Sequence, residues 1–234
     1  MKQKTFIGIA VAALFLLIIG AASPAKADSV SFNFSGNVSG GAVAGTIMFD
    51  VTSAGALTVA ITDTEANPGN VGQLISDLMF NVSGMTGAAT MTSSSGQEVN
   101  IDGSGNATLG SMGNTMWGIN SSSSTIILSA LLSGPSNLII GPGGAGGVYT
   151  NANGSIAGNG PHNPFLSGTV DFNLTVPGLT SVSQLSNIIV SFGTTPGSNL
   201  SVTSTTTPEP SSLLLLGTGL LGLGFLVRRR TAVS

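Results

Sequence analysis

The chain has 234 residues, with 34 Gly, 10 Pro and no Cys; 41% are apolar and only 6% charged, 6 basic against 9 acidic. That suffices for one ordinary domain plus short appendages, at a charge content far below the ~25% of a typical soluble domain. It excludes a disulfide scaffold, a Cys-based metal site, a thiol enzyme and a basic nucleic-acid binder.

All six basic residues lie at the ends: Lys2, Lys4, Lys26, Arg228, Arg229 and Arg230. The stretch between carries only acids: Asp28, Asp50, Asp63, Glu65, Asp77, Glu98, Asp102, Asp171 and Glu209. Such a middle neutralises no phosphate, so nucleic acid is not a partner. Basic residues confined to the ends point to membrane-facing signals around an exported body.

The first element is an N-terminal helix over 1–27. Two lysines precede an apolar run from Phe6 to Ile19, and small residues follow up to Ala25-Lys26-Ala27. This is the order of a secretory signal peptide, with Ala25 and Ala27 at −3 and −1 of the cut and signal peptidase as partner. The apolar core is short of the ~20 residues of a comfortable span. A retained N-terminal anchor is the plainer reading of the same residues.

Residues 28–200 form the body. No long helical period appears, whereas alternation with period two does. Val30, Phe32 and Phe34 alternate with polar residues, as do Leu57, Val59 and Ile61, the series Val170 to Val176, and Ile188, Val190 and Phe192. Further strands are expected at 45–51, 78–82, 99–101, 116–119 and 125–132. Gly, Asn, Ser and Pro clusters separate them, and 141–147 is a loop of Gly, Pro and Ala. The expected fold is all-β, an antiparallel β-sandwich or jelly-roll-like ectodomain. Residues 75–82 weakly echo 185–192, each a Ser-Asp/Asn turn leading into a strand.

Residues 191–207, rich in Ser, Thr and Gly, read as a linker or extended tail, with 201–210 the linker proper. Pro208-Glu209-Pro210 follows. Leu213 to Val227 is apolar apart from Thr218 and holds four glycines, and Arg228–Arg230 closes it. Leu213 to Val227 gives about 22 Å of helix at ~1.5 Å per residue; Ser211 and Ser212 extend the transmembrane helix to 211–227. Arginines after the span place its end in the cytoplasm. A plain membrane anchor would look much the same. The three ordered parts together, however, resemble the PEP-CTERM sorting signal, here over 208–231. The resemblance implies that Pro208, Glu209 and Pro210 are recognised by a membrane exosortase, which processes the precursor for the cell surface or extracellular matrix. They would be substrate features, not catalytic residues. The body, at Leu57–Thr64, Leu74–Phe80, Pro161–Phe165 and Val190–Thr194, also resembles the secreted, β-rich bodies found before this signal, which implies no catalytic residues.

Candidate chemistry in the body is sparse. His162 is the only histidine, in a rigid Gly-Pro-His-Asn-Pro loop; a triad or zinc site needs more than one such group. Asp102, Ser104 and Asn106 begin like a calcium loop, but Ala107 and Gly113 stand where an EF-hand needs Gly and Glu. A glycine turn fits better. Asp63, Glu65 and Asp77 are the next calcium candidates. Asp50 and Asp171 would have to face one sugar to make a glycosidase; exposed strand faces explain both. Trp117 and Tyr149 either stack on sugar or belong to the core, the core being the commoner outcome. Asn-x-Ser/Thr occurs at Asn33, Asn37, Asn81, Asn106, Asn120, Asn153, Asn173 and Asn199, mostly as composition dictates. The sequence therefore predicts no catalytic residue, metal or cofactor. Its first reading is a non-enzymatic surface or matrix protein that associates with exopolysaccharide. A lectin-like module, calcium-assisted, is the second reading, and a jelly-roll hydrolase the third.

Overall fold

Alternating apolar residues bury one face of each strand and leave Ser, Thr and Asn on the other. β1 (Ser29–Val38) shows this plainly: Phe32 and Phe34 are buried while Ser31, Asn33 and Ser35 are exposed. The structure, a computed structural model, describes residues 28–194 and 199–202. The expectations for the signal peptide, Ala25, Ala27, the Pro-Glu-Pro triplet, the membrane span Leu213–Val227 and Arg228–Arg230 fall outside those residues.

Eleven more strands follow: β2 (Gly41–Ser53), β3 (Ala56–Asp63), β4 (Ile75–Val82), β5 (Thr90–Ile101), β6 (Ala107–Gly113), β7 (Gly118–Ser122), β8 (Thr125–Ser129), β9 (Ile139–Ile140), β10 (Phe165–Thr175), β11 (Leu185–Phe192) and β12 (Asn199–Val202). The fold is all-β. Among the described residues there is no α-helix, only 3-10 turns at Val71–Gln73, Ala145–Gly147 and Val182–Gln184. No helix of theirs is long and apolar enough to cross a membrane.

The strands fall into two antiparallel runs. One is β6-β5-β10-β3-β2-β1 and the other β7-β8-β4-β11-β12. β9 joins them, parallel to β10 and antiparallel to β4. Apolar residues of the two runs meet. The rings of Phe49 on β2 and Phe80 on β4 lie 5.1 Å apart, and those of Phe34 on β1 and Phe192 on β11 lie 6.0 Å apart. Burying each such ring contributes roughly 1.5–3 kcal/mol, and edge-on pairing adds about 0.5–1.5 kcal/mol. Gly45 on β2 makes room for this core, because a Cβ there would collide with the Phe34 ring and the Thr62 carbonyl.

Several boundaries differ from expectation. The segment 116–119 is not a strand from its start: Met116 has φ 60, and β7 begins at Gly118. β5 runs from Thr90, far upstream of the apolar residues Val99 and Ile101 that announce it. β6, β9 and β12 are additional. β12 lies inside the stretch that reads as linker, paired to β11 with Val202 buried.

The echo between 75–82 and 185–192 is structural. Its two segments, β4 and β11, pair with each other. Each follows a 3-10 turn closed by a reciprocal cap, Asn70 with Gln73 and Ser181 with Gln184.

Candidate functional site

The outer face of the β1-β2-β3-β10-β5 run is a sheet of hydroxyl and amide groups. Register sets Thr58 of β3 opposite Asn173 of β10, and Asn173 opposite Ser93 of β5. Thr58 Oγ1 donates to Asn173 Oδ1 at 2.9 Å, and Asn173 Nδ2 donates to Ser93 Oγ at 3.0 Å. Four residues along, Thr62 and Thr169 share a hydrogen bond of 2.9 Å. Cross-strand ladders of this kind order an exposed face without charge.

Asp50 and Asp171 lie on this same face. Asp50 pairs with Thr58 and Asp171 with Ala60, so they are two strands apart and offset by two residues. Strand spacing and rise put their Cα atoms about 12 Å apart. A glycosidase holds its carboxyl groups about 5–9.5 Å apart across a cleft; this pair sits on an open sheet.

The aromatic candidates are inside. Trp117 is 5% exposed, its Nε1 donates to the Asn137 carbonyl at 2.7 Å, and its ring packs 5.1 Å from Phe172. Tyr149 is buried, and its hydroxyl donates to the Gly141 carbonyl at 2.9 Å. Burial, with Asp63 nearby, pushes the Tyr149 hydroxyl up to about 12. Every Phe among the described residues is buried too, so no aromatic platform for stacking a sugar forms there.

His162 is held within its own loop. Its backbone N–H donates to Asn159, and Nδ1 lies 2.6 Å from the Ser155 carbonyl. A carbonyl only accepts, so Nδ1 carries the proton. The ring thus anchors a turn that Asn163 ties to Ile101.

Asp102 closes the β5–β6 hairpin. Its Oδ1 accepts from the backbone N–H groups of Ser104 and Asn106 at 2.8 and 2.9 Å, and its Oδ2 accepts from Asn106 Nδ2 at 3.0 Å. The Asn106 side chain and these N–H groups hold the carboxyl below its usual value. Both oxygens are used within the turn, which is the glycine-turn reading of Asp102-Gly-Ser-Gly-Asn106.

Asp63, Glu65 and Asp77 do not converge; no group of three or more His, Asp or Glu able to hold a metal occurs among the described residues. Asp77 sits in β4 with Ser76 and Ser129 on its carboxyl, and burial raises its pKa despite them. Asp63 is the deeper group, 3% exposed. Its Oδ1 accepts from Glu65 N–H at 2.9 Å while its Oδ2 is buried without a partner. Burial pushes it up to about 8, against the opposing pull of the Glu65 and Gly141 N–H groups. It is neutral through most of the physiological range. The loop closes over it at Gly141, where a Cβ would collide with the Glu65 carbonyl.

A family model for the PEP-CTERM protein-sorting motif matches residues 206–230. The chain carries a PEP-CTERM protein-sorting motif. The match spans Pro208, Glu209, Pro210, the apolar segment Leu213–Val227 and Arg228–Arg230, all of which the sequence singles out. The PEP-CTERM motif marks a secreted protein that is sorted through an exosortase-type enzyme at the membrane and then delivered to the surface. Comparison with curated proteins and with solved structures returned no match.

Proposed function

We propose that the chain is a non-enzymatic component of the extracellular matrix, associated with exopolysaccharide or biofilm. It would be exported behind a signal peptide cut after Ala27 and held during processing by the span 211–227, with Arg228–Arg230 inside. The observation that carries this reading is the PEP-CTERM motif at 206–230 joined to a body whose outer sheet face is a ladder of Thr, Ser and Asn. Hydroxyl and amide groups exchange hydrogen bonds with sugar hydroxyls as they do with water, so such a face suits a hydrated polysaccharide bed. We read the two antiparallel runs as the layers of a β-sandwich of jelly-roll type; the Phe49–Phe80 and Phe34–Phe192 contacts support it.

The non-enzymatic reading is supported by how the candidate groups are used. His162 and Asp102 hold turns, Asp63 is buried, and Asp50 and Asp171 lie apart on an open sheet. The lectin-like reading finds support in the same Thr58–Asn173–Ser93 ladder, through hydrogen bonding rather than stacking. Retention of the protein on a polysaccharide column, and its loss in chelator, would favour the calcium-assisted form of that reading.

The deciding experiment is the intact mass of the mature protein from its host. Trypsin has no site between Asp28 and Val227, so top-down analysis is needed. A chain from Asp28 to near Pro210, with or without added sugar, is expected. A chain still ending at Ser234 would make the protein a simple tail-anchored envelope protein.

A further inference from the structure

Among the described residues, Asp63 Oδ2 is the buried side-chain oxygen without a hydrogen-bond partner. A native protein rarely leaves such an atom without a use. The rest of the carboxyl works across a seam between two segments. Oδ1 accepts from Glu65 N–H at 2.9 Å, where the chain leaves β3. The Gly141 N–H, where the chain leaves β9, also bonds the carboxyl. Gly141 lies so close to the Glu65 carbonyl that no Cβ would fit. The segment 141–148 therefore begins as a cover over Asp63.

That cover is held by hydrogen bonds and by little else. Asn67 N–H donates to the Pro142 carbonyl at 2.7 Å, and Gly144 N–H donates to the Val148 carbonyl at 2.8 Å. The Tyr149 hydroxyl donates to the Gly141 carbonyl. Ala145, Gly146 and Gly147 are exposed, and the two glycines have φ 72 and 76. The run Gly-Pro-Gly-Gly-Ala-Gly-Gly brings no large apolar side chain to the core. Opening it forfeits hydrogen bonds that water replaces, the mark of a segment that opens locally. Both ends are fastened: β9 pairs with β10 and β4, while Asn67 bonds Thr150 Oγ1 and Asn151 N–H.

The charges around Asp63 are of one sign. Glu65 faces it from its own segment and Tyr149 from the covering one, and β2 sets only Gly45 opposite it. No Lys or Arg lies between Asp28 and Val227. A charge on Asp63 thus meets two acidic groups, no cation and no water. We propose that Asp63 is a pH-operated latch: protonated, it keeps Gly141–Val148 closed over itself, and ionised, it draws that segment open. The proton leaves to solvent, water reaches Oδ2, and the Asn67–Pro142 and Tyr149–Gly141 bonds break while β3 and β10 stay paired. Under the cover the carboxyl lies at about 8, against the ordinary 3.8 that water restores. The proton's hold on the closed form is therefore complete below about pH 4 and falls about tenfold per pH unit up to about 8, roughly ten thousand-fold in all.

Amide hydrogen exchange of the full-length chain in detergent, read by NMR between about pH 5 and pH 8 where base catalysis limits exchange, tests the latch. An opening that releases no proton gives rates that rise about tenfold per pH unit, and one that releases a proton gives about a hundredfold. The Asn67 and Gly144 amides should follow the steeper course, and dilute urea should not hasten them, because a local opening exposes little surface. Asp63→Asn cannot ionise and should restore the tenfold course with slow exchange. Gly141→Ala, which props the cover against Glu65, should give fast exchange at every pH. A tenfold course in the wild type, or a hundredfold course that survives Asp63→Asn, would overturn the proposal. So would urea dependence equal to that of the Val59 and Phe172 amides, since the segment would then open only when the whole body unfolds.

Discussion

At Asp63 the chain leaves β3 and carries a carboxyl into the core, where Oδ2 has no partner. Its folded pKa, about 8, lies above the ordinary 3.8 because burial penalises the charged form. Folding therefore favours the protonated acid, and this contribution is fully present below about pH 4. It is lost as pH rises toward about 8, on the order of a few kcal/mol in all. Asp77, also raised by burial, acts in the same direction. Asp63→Asn should flatten the fall of melting temperature between pH 5 and pH 8, which thermal melts across that range would show (about 3 units are enough to see the slope). An unchanged slope would mean that Asp63 is solvated. Trp117→Phe tests a second buried polar contact. It leaves the Asn137 carbonyl without its indole donor and should cost about 1–3 kcal/mol in denaturant unfolding. Trp117 is core, the commoner outcome for a tryptophan. Alternation puts Asp63 in phase with Leu57, Val59 and Ile61 on the inward face of β3, and the Gly141 loop closes over it.

The two capped 3-10 turns show how an element is legible in part. The sequence echo between 75–82 and 185–192 is visible because both strands need the same alternation. The shared cap lies just upstream and depends on a Gln whose role is tertiary. Gln73 Oε1 accepts from Gly69 N–H at 2.6 Å while Nε2 donates to Ala42 of β2 at 2.8 Å. Gln184 does the same work with Thr180 N–H and the Ser83 carbonyl, both at 2.7 Å. Gln73 is buried and Gln184 half-buried. Gln73→Ala should therefore destabilise by about 2 kcal/mol and Gln184→Ala by about 1 kcal/mol, because water replaces the lost bonds only at the second site. Chemical denaturation of the two variants checks the order, and a reversal would remove burial as the cause. β5 and β6 were poorly legible for a related reason. Thr90–Ser95 and Ala107–Gly113 have no strong apolar alternation, and they become strands because β10 and β5 offer them backbone partners.

The whole molecule is divided between a route and a body. Deleting Leu213–Ser234 removes most of the matched motif and should send the body unprocessed into the medium, as immunoblots of cells and supernatant would show. If the truncated protein stayed on the surface, retention would rest on the body instead. The route was legible in the residues themselves: a processing enzyme reads a short, contiguous segment, so order and spacing along the chain carry the information. The all-β class was legible for a similar reason, since period-two burial is a local consequence of the pleat. The arrangement of side chains on the body was not. Which strands neighbour which, the Thr58–Asn173–Ser93 ladder across three distant segments, the closing of the Gly141 loop over Asp63 and the place of β6 beside β5 all depend on contacts between residues far apart in sequence. Alternation fixes which face a residue takes within its strand. Only the packing of the two runs decides what that face meets.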